Sequence, residues 1–176
     1  MGLLHRLEPV SEQYATLPVA DAFTWSDAGG DLADGEWYLV AFRSVRRPGA
    51  DEIRLTLFDE LAHHEAETAP GFLHYFKGPL GADGACLSFC LWQTRADARA
   101  AAGRPAHVQA VSLIDEMYES YTLEFHRVTR TAGGPLVFEP YDRPGAPQHR
   151  HVTGPDLHPV SAIPSLSPSA APAPAL

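Results

Sequence analysis

Apolar positions cluster in the middle of the chain and change period several times there. Trp37-Tyr38-Leu39-Val40-Ala41-Phe42 is continuously apolar and β-prone, which predicts a strand covered on both faces, ending near Val45. After the turn at Pro48-Gly49, Asp51 is placed to cap a helix. Ile53, Leu57, Phe58 and Leu61 then recur at helical spacing as far as Thr68. Ala69-Pro70-Gly71 ends that helix, because proline disfavours helix in the residue before it. Phe72 to Lys77 reads as a second strand and 78–84 as a hairpin loop. The third strand alternates Leu87, Phe89 and Leu91 against Cys86, Ser88, Cys90 and Trp92. Arg95 to Ala102 is an alanine-rich helix broken at Gly103-Arg104. A second helical segment restarts at Pro105 and carries Ala106, Ala110, Leu113, Ile114, Met117 and Tyr118 on one stripe. Tyr121 to Val128 alternates again as a fourth strand.

The order strand, helix, strand, strand, helix, strand predicts a ferredoxin-like α+β domain with an antiparallel sheet over residues 37–130. Residues 1–36 show no sustained period and form an N-terminal arm. Phe23 and Trp25 are placed to pin that arm onto the domain. Residues 131–176 hold ten of the sixteen prolines and end in SPSAAPAPAL, which makes them an extension whose last part is expected to be disordered.

The chain has 176 residues, enough for one sound core, and 45% of them are apolar. A formal net charge of −9 argues against nucleic acid or an anionic membrane as partner, because both select clustered Lys and Arg. No apolar run approaches a membrane span, and the first residues lack a secretory h-region, so a cytoplasmic protein is expected. Cys86 and Cys90 lie four apart on a strand, roughly 13 Å between Cα atoms, too far for a disulfide. Free thiols fit a reducing compartment.

Several short motifs in this frame resemble one family. Ala69-Pro70-Gly71-Phe72 opens the second strand and Trp92 closes the third. Thr94-Arg95-Ala96-Asp97 then starts a helix, and Pro105-Ala106-His107 follows. Together they are similar to the antibiotic-biosynthesis-monooxygenase-like dimeric α/β barrels over roughly residues 37–128. The resemblance implies a homodimer, with a small-molecule pocket between sheet and helices of each subunit. It also implies a small cofactor-independent monooxygenase-like enzyme acting on an aromatic or polyketide-type compound. The alternative it implies is a haem- or small-molecule-binding dimer without catalysis. The dimer has a physical counterpart, since a sheet with helices on one face needs cover for the other.

Candidate site residues follow. The resemblance points to His107, as general base toward a phenolic substrate or, in haem-degrading relatives, as axial iron ligand; the plainer reading is a packed histidine at a helix start. Tyr75 and Lys77 share a strand face and can place a phenol and a cation near an oxyanion, against the reading of Lys77 as a solvated strand end. Trp92 can stack on an aromatic substrate or serve as core. Arg43, the cation in an apolar strand, either grips a carboxylate or phenolate or is solvated at the strand end. His64 shares a helical face with Leu61, yet His63 and His64 also sit four residues after Asp59 and Glu60, the spacing of exposed ion pairs. His149, His151 and His158 have a metal-like look in Pro-rich chain, and no metal site is assigned to them.

Overall fold

A computed structural model describes residues 4, 6–28, 32–141 and 150–151. A single 3₁₀ turn at Tyr14–Thr16 and two one-turn helices, α1 (Val19–Ala22) and α2 (Trp25–Ala28), make up the arm. Then come β1 (Gly35–Arg46), α3 (Glu52–Glu67), β2 (Phe72–Phe76), β3 (Ala85–Trp92), α4 (Arg95–Ala102), α5 (Pro105–Ser112), α6 (Ile114–Met117) and β4 (Tyr118–Arg130). Two short strands, β5 (Val137–Pro140) and β6 (Arg150–His151), both pair with β4. The strand order is β2-β3-β1-β4-β5, and every neighbouring pair is antiparallel. This is the ferredoxin-like arrangement, with β3 inserted between the parallel-running β1 and β2.

Local chemistry sets the element ends. The Asp51 carboxylate accepts the Arg54 backbone N–H at 3.0 Å and so caps α3. Thr94 does the same for α4, accepting from Asp97 N–H at 3.2 Å. Gly71 has φ 73°, and a Cβ there would lie 2.3 Å from the Asp97 carboxylate, so this turn needs glycine on both counts. Pro105 begins α5, where its missing N–H costs nothing.

The main core lies on the sheet face away from helices α3 to α6. Leu39, Ala41, Leu87 and Phe89 are fully buried there, and Leu91 nearly so. The arm covers them. Phe23 packs its ring against Phe89 and Phe76 with centroids 5.4 and 4.9 Å away, and Trp25 stacks beside Phe89 and Phe138 at 5.1 and 4.9 Å. Each such aromatic contributes roughly 1.5–3 kcal/mol by burial alone. The chain's own arm thus covers the sheet face through which the homodimer was expected to form.

Two other expectations change. Ile53, Leu57 and Leu61 do recur at helical spacing, but they point outward and are 82%, 50% and 44% exposed; Leu55 is the buried residue of α3. The Pro-rich extension contributes β5 to the sheet rather than beginning where the fold ends. The disorder expected of the last residues, and the histidines at 149 and 158, lie outside the described residues. No helix among the described residues is long and apolar enough to cross a membrane.

Candidate functional site

The two sheet faces are packed differently. On the arm side, β1 and β3 present side chains with 0–1% exposure at Leu39, Ala41, Leu87, Phe89 and Leu91. On the helix side, their neighbours Val40, Phe42, Ser88 and Cys90 keep accessible surface, although they sit in central strands under two helices. The helices explain why. The inward stripe of α3 carries Asp59, Ala62, His63 and Ala66, and that of α5 carries Ala106, His107 and Ala110; all are half-buried. Alanines reach little beyond the backbone, so the helices cover this face with smaller side chains than the arm brings to the other. The packed cores on this side lie at the two ends, around Trp92 and Ala98 at one and around Leu55, Leu113 and Met117 at the other.

Polar groups occupy the middle. Register places Tyr75 opposite Cys90 and Cys90 opposite Val40, while Tyr121 pairs with Ser44, which in turn pairs with Cys86. The Tyr75 hydroxyl donates to Asp59 Oδ1 at 2.6 Å, and Lys77 Nζ reaches Asp59 Oδ2 at 2.8 Å. Burial, then the Asp59 charge, pushes the Tyr75 phenol far above its ordinary value. Burial likewise raises Cys90 and Tyr121, each ringed by protein yet keeping some accessible surface. These groups are neutral hydrogen-bonding partners at physiological pH. The ring of His63 stands edge-on to Tyr75, centroids 4.9 Å apart.

His107 sits in the first turn of α5, where the Glu65 carboxylate accepts the backbone N–H groups of Ala106 and His107 at 3.0 and 3.2 Å. Burial lowers the imidazole from 6.5, with the Glu65 charge opposing in part. The ring is therefore neutral near pH 7, and its side chain makes no hydrogen bond among the described residues.

Three candidates lie outside this cluster. Arg43 is on the arm side: its Nε donates to Glu124 at 2.6 Å, and its terminal nitrogens donate to the carbonyls of Ala15 and Leu17. It fastens the arm, on the sheet face away from the helices. Trp92 is 4% exposed and packs edge-on to Phe72, so it is core. His64 points to solvent with 83% of its side chain exposed, 3.7 Å from Glu67. Tyr75 and Lys77 do meet, at Asp59. Sequence reasoning missed Asp59, His63, Cys90 and Tyr121 as site residues. The alternation of β3 with Trp92 could have placed Cys90 on this face, whereas Asp59 and His63 looked like an exposed helical ion pair.

Two cavities open at the far end of the sheet. One of 390 Å³ is lined by Leu32, Asp34, Trp37, Leu73 and Gln93 among others; an adjoining one of 230 Å³ is lined by Glu36, Tyr38, Gln93, Arg95 and Tyr141. Neither borders His107 or Tyr75.

The family described as PB2B2.08-like matches residues 2–139, which takes in the arm together with the sheet and helices. The chain belongs to this PB2B2.08-like family. No curated protein matches it. Among solved structures, the family member is similar to SnoaB, a cofactor-independent oxygenase from Streptomyces nogalater, with 16% identity over 56% of this chain and 95% of that one and a TM-score of 0.42. It is similar to NE2512, a protein of unknown function from Nitrosomonas europaea, with 17% identity, 57% and 94% coverage and a TM-score of 0.45. A Chloroflexus aurantiacus protein assigned to the antibiotic biosynthesis monooxygenases gives 16%, 56% and 96%, and 0.42. Likenesses this distant concern the fold alone.

Proposed function

We propose that this chain is a cofactor-independent, monooxygenase-like enzyme acting on an aromatic or polyketide-type small molecule held between the sheet and helices α3 and α5. The observation that supports the reading most is the contrast between the two faces: central-strand residues are sealed under the arm but accessible under the helices, and polar groups gather on the accessible side. His107 is the base in this reading. Its burial keeps the imidazole unprotonated at neutral pH, so it can accept a proton from an acidic phenol or the tautomerisable methylene of an anthrone. The resulting carbanion is electron-rich enough to reduce oxygen itself. One oxygen atom replaces the methylene hydrogens as a carbonyl, and the other leaves as water, so that the substrate supplies all the electrons. Tyr121, held neutral by burial, donates a hydrogen bond to the developing oxyanion, while Tyr75, whose one hydroxyl proton goes to Asp59, lines the site beside it. Lys77 with Asp59 fixes the Tyr75 hydroxyl. With the arm closing the second sheet face, the site is built within a single chain.

Oxygen uptake with a hydroxylated anthrone, in buffer containing a chelator and no flavin, tests this. The expected result is one oxygen consumed per quinone formed, with kcat reduced by about 10²-fold or more in His107→Ala. Uptake no faster than without protein would remove the enzyme reading. The neutral, unbonded His107 ring also favours one second reading, haem or small-molecule binding without catalysis. A haemin titration separates the two: a sharp Soret band lost in His107→Ala supports ligation, and an unchanged spectrum removes it.

A further inference from the structure

Among the groups gathered between the sheet and the helices, Tyr75 stands out by where its proton goes. Its hydroxyl donates to Asp59 Oδ1 at 2.6 Å, and Lys77 Nζ holds the other carboxylate oxygen at 2.8 Å. A phenol carries a single proton and keeps lone pairs on the same oxygen. Burial and the Asp59 charge keep that proton on the phenol, and the short bond keeps it aimed at Asp59. Tyr75 Oη accepts from no group among the described residues, so what it has left for a bound molecule is an acceptor. Tyr121 is the opposite case. Its ring packs beside Phe42 and Tyr118, with centroids 6.5 and 5.3 Å away. Its hydroxyl makes no hydrogen bond among the described residues, which leaves its proton to donate. Strands β2 and β4 flank β3 and β1, so this acceptor and this donor stand on one sheet face, on either side of the two central strands.

We propose that Asp59 is a positioning residue that turns Tyr75 into an acceptor for a protonated hydroxyl of the ligand, while Tyr121 serves the ligand oxygen on which charge develops. The substrate class this names is a neutral hydroxyarene whose free hydroxyl lies at the β2 end of the site and whose reacting end lies toward β4. The inference rests on the reading of the helix-side space as the substrate site and deepens it. A phenolate at the β2 end would set its charge against the Asp59 carboxylate and its lone pairs against those of Tyr75. A methyl ether brings no proton and leaves two acceptors facing one another, which costs more than a missing contact. Specificity for a donor therefore comes from a carboxylate that need not touch the ligand.

Titrating the full chain with 2-naphthol and with 2-methoxynaphthalene, followed by ¹H–¹⁵N NMR, tests this. Both are expected to shift amide signals of β2, β4 and α5, with 2-naphthol binding about tenfold more tightly. Asp59→Asn supplies the second measurement. Lys77 would hold the amide oxygen, so the amide NH₂ falls toward Tyr75, which accepts from it and turns its own proton to the ligand. The preference for 2-naphthol should then disappear or reverse, whereas a merely structural Asp59 would weaken both ligands alike. Equal affinities in the wild type, with the shifts still in β2, β4 and α5, would overturn this inference and leave the helix-side site standing. Shifts in none of these elements from either compound would remove the site and the inference together. A folded Asp59→Asn variant that keeps the wild-type preference would also overturn it.

Discussion

Replacing Glu124 by Gln should make stability insensitive to acid in one defined window. The Glu124 side chain is 8% exposed, within reach of Arg43 Nε at 2.6 Å and His126 Nε2 at 3.5 Å. Burial alone would raise its pKa, but the Arg43 guanidinium and the His126 ring beside it outweigh the burial and hold the carboxyl at about 2, against an ordinary 4.5. A drop of that size, at about 1.4 kcal/mol per pH unit, makes the charged carboxylate worth about 3 kcal/mol at most. The sign follows from the direction. A lowered carboxyl contributes its full stability above 4.5 and loses it as pH falls through about 2. Urea unfolding followed by circular dichroism between pH 6 and pH 2 reads it directly. The wild type should lose stability relative to Glu124→Gln across that window, and the two should converge near its lower end. Parallel curves would refute the claim that the Arg43–Glu124 pair is formed in the folded chain. The same pair is the arm's main polar fastening, since Arg43 also donates to Ala15 and Leu17 carbonyls.

Other outcomes follow from the same packing. Deleting residues 1–34 uncovers Leu39, Leu87, Phe89 and Leu91, and the truncated chain should self-associate or fail to fold, as size-exclusion chromatography with light scattering would show. Phe89→Ala should cost about 3–5 kcal/mol in chemical denaturation, whereas Ile53→Ala, at a position 82% exposed, should stay within about 0.5 kcal/mol. Tyr75→Phe removes the donor to Asp59 and should cost about 1 kcal/mol while leaving the Lys77–Asp59 pair in place. A full cost of several kcal/mol there would mean the hydroxyl holds more than this one bond.

The parts of the fold with a clear period were legible in the chain. The alternation of β3, the unbroken apolar run of β1, and the Asp51 cap before α3 each fixed an element to within a few residues. The arm was not legible in the same way, because its elements are single turns and its hold depends on isolated side chains such as Tyr14, Phe23 and Trp25 rather than on a repeating face. Helix α3 misled for a physical reason. Its strongest apolar stripe, Ile53-Leu57-Leu61, faces outward, while the face turned to the sheet carries Asp59, Ala62, His63 and Ala66, which read as a polar surface. Arg43 shows the limit of single-strand reading. In an all-apolar strand no alternation marks which face a cation shares, and only pairing with Leu87 and Thr122 puts it beneath the arm. Strand β5 was hidden by proline-rich composition around Val137-Phe138.

A small aromatic molecule is proposed to bind between the sheet and helices α3 and α5. A crystal structure of the chain soaked with a dihydroxyanthraquinone, the product-like form of the proposed substrate, tests it most directly. The ring system is expected under α3 and α5, with its oxygen atoms within hydrogen-bonding distance of His107, Tyr75 or Tyr121. Ligand found only at the arm-covered face or on the outer Ile53-Leu57-Leu61 stripe, with the helix side closed, would contradict it.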